Sequence, residues 1–278
     1  MSYLDKIKSL NNYQESNKVP FLIDGIRVGQ VLDSSLELVL NSGFFKLDGS
    51  GLTLIAKDYN NRNRDLQEFA KYLLNLGVIN RIMDEPYALS KNFNDKPLAL
   101  VDRACATTLG INSYGVHING YFKDNNSIKM WIATRAKNKG FEAGKLDHIA
   151  AGGQPYGISP IENAQKECFE EASIPYEISK NLILTGYVSY KFEYSKGGSK
   201  DTIFCYDLEL PKDFTPKIND DEVEKFELMD IKDVAKLVDS SDRFKLNCNL
   251  VIIDFLIRHG VLSQNHKEYF DIVKGLRV

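Results

Sequence analysis

The period of the apolar residues changes near the middle of the chain, and this change constrains the fold more than any other feature. From Tyr114 onward apolar and polar residues alternate in YGVHINGYF and IKMWIAT, which flank turn residues at 124–127. Alternation with period two predicts strands, and two strands joined by turn residues predict a β-hairpin. LILTGYVSYKFEY and DTIFCYDLEL repeat the pattern, and VEKFELM adds one more strand. The second part of the chain is therefore expected to be rich in strands.

Two helices are predicted among these strands. Ser159, Pro160 and Glu162 form a capping box with proline at the first helical position, so a helix begins there. The closing segment from Leu246 to Gly260 is apolar on nearly every side, which is typical of a buried helix. Strands around one or two helices predict an α+β fold.

The first part of the chain is interpreted as a small α+β domain. FLIDGIRVGQVL has a hairpin pattern around Asp24-Gly25, and a helix is expected from about Asp65 to Gly77. A shorter helix, capped at Ser34-Ser35, is expected to stop at Gly43. We predict an N-terminal domain over residues 1–108 and a second domain over residues 109–278.

Composition narrows the class of protein. The 278 residues carry 35 Lys+Arg against 38 Asp+Glu, a net charge of −3, which does not favour nucleic-acid binding. The sequence shows neither a secretory signal at its start nor an apolar run long enough for a membrane span. The four cysteines lie far apart, so they are expected to be core residues. We expect a cytoplasmic protein.

The predicted helix after Pro160 carries a cluster of carboxylates. Glu167, Glu170 and Glu171 follow the i, i+3, i+4 spacing that places side chains on one helix face. Like charges at this spacing repel, and a divalent cation would remove the penalty. Carboxylate oxygens suit Mg²⁺ or Mn²⁺, and the carbonyl of Gly153, in the double glycine before the helix, could be a further ligand. A plain solvated acidic face is the alternative.

AGGQPYGISPIENAQKECFEEASI resembles the Nudix box, G-x5-E-x7-R-E-U-x-E-E-x-G-U, where U is a bulky aliphatic residue. Lys166 stands in the position of the arginine, and Glu167, Glu170 and Glu171 stand for the metal-binding glutamates. Ile158 occupies the position of the first box glutamate, and the loop after Gly153 is one residue shorter than the pattern.

The flanking stretch WIATRAKNKGFEAGKLDHIAAGG is similar to Nudix proteins related to thiamine pyrophosphokinase, and the similarity extends over nearly the whole chain. It implies a Nudix α/β/α sandwich with a mixed sheet behind an N-terminal domain. The implied activity is a metal-dependent diphosphatase that converts thiamine diphosphate, or its damaged oxo and oxy forms, to the monophosphate and phosphate. Glu167, or a carboxylate outside the box, is the candidate base.

Other residues are candidates for contacts with a diphosphate. The cations proposed to face it are Arg135, Lys139 and Lys145. His117 and Asn119 share one face of a predicted strand and could contact the organic part of a substrate. Glu222 and Glu224 precede a predicted strand, and one of them could supply an additional carboxylate to the site. The alternative is a plain acidic turn.

Three rival functions are compatible with parts of the pattern. A Nudix pyrophosphatase could act on a nucleoside diphosphate derivative such as a nucleotide sugar. An isopentenyl-diphosphate isomerase shares the fold, but it places a cysteine and histidines where this chain has Ala151-Gly152-Gly153. The third rival is a module that binds thiamine diphosphate without cleaving it, because Ile158 stands at a glutamate position of the box. The expected partner is a small-molecule diphosphate, and a homodimer is compatible with the sequence.

Overall fold

A four-stranded sheet organises the first part of the computed structural model, which describes residues 2–124, 127–138, 142–194 and 197–278. The strands are β1 (Lys18–Ile23), β2 (Ile26–Leu32), β3 (Phe45–Asp48) and β4 (Gly51–Leu54), in the order β2-β1-β4-β3. The turn between β1 and β2 has positive φ at Asp24 (51°) and Gly25 (76°), as a tight hairpin turn requires. The predicted first hairpin is confirmed.

Helices and a second hairpin complete this part. They are α1 (Tyr3–Ser9), α2 (Asp33–Asn41), α3 (Tyr59–Asn75), β5 (Pro86–Leu89), β6 (Ala99–Asp102) and α4 (Ala106–Leu109), with a short 3-10 turn at Arg103–Cys105. Strands β5 and β6 pair only with each other in the described residues. Helix α3 packs Leu66, Phe69 and Leu73 into a core shared with the four-stranded sheet.

A seven-stranded mixed sheet forms the second part, with the order β11-β12-β7-β8-β13 along its main path. Its strands are β7 (Asn112–Asp124), β8 (Ser127–Arg135), β9 (Leu146–Asp147), β10 (Ala150–Gly153), β11 (Ile183–Tyr194), β12 (Gly197–Glu209) and β13 (Val223–Asp230). β12 runs parallel to β7, whereas β10 pairs antiparallel with β7 and β9 with β8. Both predicted hairpins, β7/β8 and β11/β12, are confirmed.

Helices cover both faces of this sheet. They are α5 (Pro160–Ala172), α6 (Tyr176–Ser179), α7 (Ile231–Ser240), α8 (Leu246–Arg258) and α9 (Tyr269–Gly275). Val116 and Ile118 of β7 pack with Cys168 of α5, whereas Tyr121 packs with Phe255 of α8. Because alternate residues of a strand face opposite sides, β7 contributes to a core on each face. The predicted α+β sandwich with a mixed sheet is confirmed.

The first helix crosses from the predicted N-terminal part to the second core. Tyr3 and Ile7 of α1 are buried among residues of α7, α8 and α9, and the Tyr3 hydroxyl donates to the Ala235 carbonyl at 3.0 Å. A protein that lacked residues 1–108 would therefore expose part of the second core. The domain boundary near residue 108 stays a prediction.

Two expectations from composition can be compared with the structure. All four cysteines are buried and unpaired, as predicted for core residues. Across the described part of the chain, the helices are too short or too polar to cross a membrane.

Candidate active site

Helix α5 begins as the sequence predicts. The Ser159 hydroxyl accepts from the Glu162 N–H at 3.3 Å, and the Glu162 carboxylate accepts from the Ser159 N–H at 2.9 Å, with Pro160 in the first turn. The helix ends at Ser173, whose φ of 52° is left-handed. The exposed Glu162 therefore serves the helix N-terminus and has not replaced the box glutamate missing at Ile158.

The three clustered glutamates of α5, Glu167, Glu170 and Glu171, differ in burial. Glu171 is 7% exposed, and its Oε1 accepts from the Ala151 N–H at 3.4 Å. The side chains of Glu167 and Glu170 are 13% and 48% exposed. Lys166 Nζ lies 3.1 Å from Glu167 Oε1 and 2.8 Å from Glu170 Oε2, so it bridges the outer two carboxylates. Glu171, the most buried of the three, is not one of the two carboxylates that Lys166 bridges.

This arrangement concentrates negative charge where water is excluded. Burial raises the pKa of Glu171 well above its usual value, and the carboxylates of Asp147 and Glu167 raise it further. Burial also raises the pKa of Glu167, although Lys166 opposes that shift. A divalent cation bound by carboxylate oxygens would relieve this repulsion, so the residues fit a hard metal ion such as Mg²⁺.

The double glycine lies directly against these carboxylates. A Cβ on Gly152 would be 2.3 Å from the carboxyl carbon of Glu167, so a side chain there would displace that glutamate. The Gly153 carbonyl accepts from Asn163 Nδ2 at 2.7 Å, which fixes the loop to α5. The predicted role of the Gly153 carbonyl as a ligand stays a prediction.

A cavity of about 490 Å³ opens above α5 and the glycine loop. It brings together these residues predicted for the site: His117, Arg135, Gly153, Glu167, Glu170 and Glu222. Further charged side chains at its wall are Arg81, Glu85, Arg103, Lys166, Asp201, Asp220 and Lys245. Carboxylates for a cation and cations for phosphate oxygens therefore face one space.

Some of the predicted site residues have other partners. Asn119 donates to Asp207 Oδ1 at 3.0 Å, in a network that also holds Arg258 of α8. Lys145 donates to the Asp242 carbonyl, and neither Asn119 nor Lys145 is among the residues that line the cavity.

The two acidic candidates before β13 are separated. Glu222 lines the cavity, and its charge contributes to the raised pKa of Glu167. The exposed Glu224 lies 3.5 Å from Lys137 Nζ instead. Lys139 falls outside the described residues.

Arg135 is held in place by the buried carboxylate of Asp147. Its Nη1 donates to Asp147 Oδ2 at 3.0 Å, and Lys245 Nζ lies 3.4 Å from the same oxygen. The buried Asp147 thus fixes two cations that line the cavity. Burial raises its pKa, but the Lys245 charge and a hydrogen bond with His148 outweigh burial and hold the pKa well below the usual range.

A buried cluster of four residues of metal-binding types lies behind this wall. The ligand atoms of His117, Asp147, His148 and Cys248 all lie within 4.8 Å of one another. His117 Nδ1 is 3.0 Å from His148 Nδ1, and Cys248 Sγ is 2.8 Å from Asp147 Oδ1. These are hydrogen-bonding contacts, and burial lowers the pKa of both histidines, which favours neutral rings. The cluster can therefore support His117 at the cavity wall.

Several cavity residues were missed by the sequence analysis. Lys245 precedes α8 and was given no role from the sequence. Tyr190, Tyr194 and Asp201 also line the cavity, but in the sequence they look like ordinary strand residues. Arg103 comes from the N-terminal part, in which the sequence showed no carboxylate cluster or phosphate loop. Residues brought together by tertiary packing alone leave no spacing signal in a single sequence.

Comparison with known proteins finds two family matches along the chain. Residues 2–113 match the family described as a domain of unknown function, DUF4743, and residues 116–248 match the NUDIX domain family. The glycine loop, α5 and most of the cavity lie within the second match.

Three relatives match over most of this chain. Nudix hydrolase 20, chloroplastic, of Arabidopsis thaliana is 41% identical over 81% of this chain and 60% of its own length. Nudix hydrolase 24, chloroplastic, of the same plant is 36% identical over 99% of this chain and 77% of its own length. The uncharacterized protein YJR142W of Saccharomyces cerevisiae is 34% identical, over 96% and 84%. The chain belongs to the Nudix hydrolase family and carries an N-terminal DUF4743 domain.

Proposed function

We propose that the chain is a divalent-metal-dependent hydrolase of a small-molecule diphosphate. One observation carries this proposal: the Glu167 and Glu170 carboxylates of α5 and the cations Arg135, Lys166 and Lys245 face the same cavity. Hydrolysis of a phosphoanhydride needs positive charge around the transferred phosphoryl group and a positioned water, and this set of side chains can supply both.

The roles of the residues follow from their positions. Glu171, Glu167 and Glu170 would hold Mg²⁺ or Mn²⁺, which supplies charge neutralisation and activates water. Arg135, fixed by Asp147, is placed to bind phosphate oxygens. Glu167 is partly buried, has a raised pKa and lines the cavity, so it is our candidate for the general base. Glu222 is the candidate carboxylate from outside the box.

We propose thiamine diphosphate, or its oxo and oxy forms, as the substrate, with the monophosphate and phosphate as products. The resemblance of the segment around Arg135 to thiamine-related Nudix proteins supports this choice. The lining of the cavity also supports it, because Tyr190, Tyr194 and the Asp201 carboxylate all contribute to it. A ring that carries positive charge or N–H donors suits such a wall.

Asp201 is the specific feature of that wall. It is half-buried and accepts from the Ser199 hydroxyl, and burial raises its pKa to about 6. The charges of Arg103 and Lys245 oppose this shift, and a cationic ring at this wall would be a further favourable partner of the Asp201 carboxylate.

Asp201→Asn should change the choice between intact and damaged cofactor. The thiazolium of thiamine diphosphate is cationic, whereas the oxidised ring is neutral. We expect kcat/KM for the intact form to fall roughly 10-fold, because a charge pair of this kind is worth about 1 kcal/mol or more. The value for the oxo form should change little. Steady-state kinetics on both substrates measures this.

The exposed Asp213 supplies the control, since Asp213→Asn removes the same charge outside the cavity. Equal losses on both substrates in Asp201→Asn would contradict the placement of the ring against this wall.

Cytoplasmic localisation and a homodimer stay predictions.

A further inference from the structure

The N-terminal domain lies against the glycine loop of the Nudix domain. The Tyr156 N–H donates to the Pro86 carbonyl at 2.7 Å, which ties the segment after the loop to β5. A Cβ on Gly153 would be 2.4 Å from Tyr87 Oη and 2.9 Å from Arg103 Cζ. The absence of a side chain at Gly153 thus lets a tyrosine and an arginine of the other domain reach the candidate metal loop.

Arg103 is held in this position by its own domain. Its Nη1 donates to Glu85 Oε2 at 2.9 Å, and its backbone N–H donates to the Glu85 carbonyl at 2.9 Å. Both partners are in the N-terminal domain, so this ion pair does not join the two domains. The guanidinium lines the cavity, and its side chain is 39% exposed. It is oriented before any ligand binds and is accessible to one.

The charges around Arg103 indicate the class of ligand. Arg135 and Lys166 line the same cavity together with Glu167 and Glu170 of α5. When a divalent cation is bound by the glutamates, the remaining positive groups face a space that suits an anion with several oxygens. Guanidinium groups bind phosphate oxygens in a two-pronged geometry that ammonium groups cannot reproduce.

We infer that Arg103 binds the diphosphate of the substrate together with Arg135, so that the DUF4743 domain completes the active site. The inference rests on the proposed diphosphatase function. Glu85 is a positioning residue for the guanidinium. The N-terminal domain then has a direct role in substrate binding in addition to its packing on the second core.

Binding of inorganic pyrophosphate tests this inference without assuming an organic substrate. Isothermal titration of the full-length protein with pyrophosphate and Mg²⁺ gives a dissociation constant for wild type and for Arg103→Gln. We expect the constant to rise roughly 10- to 100-fold in the variant, the equivalent of one hydrogen-bonded charge pair. Thermal unfolding should change little, because Glu85 remains solvated at the cavity edge.

Two further variants complete the experiment. Arg103→Lys keeps the charge but loses the two-pronged geometry, so its affinity should lie between those of wild type and Arg103→Gln. Arg64→Gln removes an exposed arginine of α3 and should bind as wild type does. If Arg103→Gln does not fold, the weaker binding of the lysine variant is the deciding result.

The outcomes separate the two proposals. A wild-type protein that binds and cleaves a diphosphate, with unchanged pyrophosphate affinity in both Arg103 variants, overturns the Arg103 assignment alone. A wild-type protein that binds no pyrophosphate overturns the diphosphatase proposal and this inference together.

Discussion

Glu171→Gln should lower kcat by roughly 1000-fold while the metal-free protein becomes more stable. The amide keeps the shape of the side chain but removes a charge that a hard cation needs, and several kcal/mol of transition-state stabilisation depend on such an ion. The same charge is buried among other carboxylates, so its loss relieves repulsion in the folded state. Turnover assays and thermal unfolding in the presence of a chelator measure the two effects.

The pH dependence of the stability gain has a defined sign. The folded protein raises the pKa of Glu171, so ionisation of this group destabilises the fold as the pH rises above the ordinary pKa of a glutamate. The gain from Glu171→Gln should therefore be present at neutral pH and should vanish at acidic pH, where the wild-type group is protonated in both states. Added Mg²⁺ should raise the unfolding temperature of wild type more than that of the variant.

Glu162→Gln is the matched control on the same helix. A glutamine can complete the capping box, and the side chain is exposed at the helix N-terminus, so activity should stay near that of wild type. Full activity in a folded Glu171→Gln protein would contradict the metal site. A loss in Glu162→Gln as large as that in Glu171→Gln would show that Glu162 belongs to the site.

Gly152→Ala is expected to have the second largest effect on turnover. The added methyl group would be 2.3 Å from the Glu167 carboxyl carbon, so either the glutamate or the loop must move. A misplacement of about 1 Å in an active site can cost roughly 100-fold in rate. Steady-state kinetics should show this loss in kcat with a smaller change in KM.

Gly49→Ala tests the same chemical change where it has no consequence. A Cβ at Gly49 has no atom within 4 Å among the described residues, so this variant should have wild-type activity. If Gly152→Ala is as active as Gly49→Ala, Glu167 does not need its position beside the loop, and its role as ligand and base is wrong.

The strands could be predicted because their apolar period is local. Both hairpins of the large sheet and the hairpin of β1 and β2 lie where alternation and turn residues placed them. Helix starts were less accurate. Helix α3 begins at Tyr59, after the cap Asp58, because polar residues also form its first two turns. Helix α2 begins at Asp33 without a side-chain cap, so the cap predicted at Ser34-Ser35 is wrong.

The acidic helix could be predicted in detail because its signals lie within one turn or two of each other. The capping box and the shared face of the three glutamates depend on helix geometry alone. Lys166 occupies the arginine position of the Nudix box, and it contacts both Glu167 and Glu170. Ile158 lines a neighbouring cavity, and its carbonyl accepts from Gln154 at 2.8 Å. Ile158 is not among the residues that line the cavity above α5.

The remaining cavity wall depends on long-range packing. His117 and Asn119 share a strand face, yet only His117 reaches the cavity, because α8 and Asp207 enclose Asn119. Arg103 and Asp201 are brought to the cavity by the docking of the N-terminal domain and by the second hairpin. The sequence analysis gave neither residue a role in the site, and their convergence appears only in the folded chain.

Cleavage of a panel of diphosphates, followed by chromatographic separation of the phosphorylated products, tests the central claim most directly. The panel contains thiamine diphosphate, its oxo and oxy forms, ADP-ribose and a nucleotide sugar, each assayed with Mg²⁺, with Mn²⁺ and with a chelator. We predict metal-dependent release of phosphate and thiamine monophosphate, abolished by the chelator and by Glu171→Gln. Metal-dependent cleavage of ADP-ribose or the nucleotide sugar orders of magnitude faster than every thiamine form would contradict the substrate. Absence of metal-dependent cleavage across the panel, with thiamine diphosphate still bound, would contradict the hydrolase and leave a binding module.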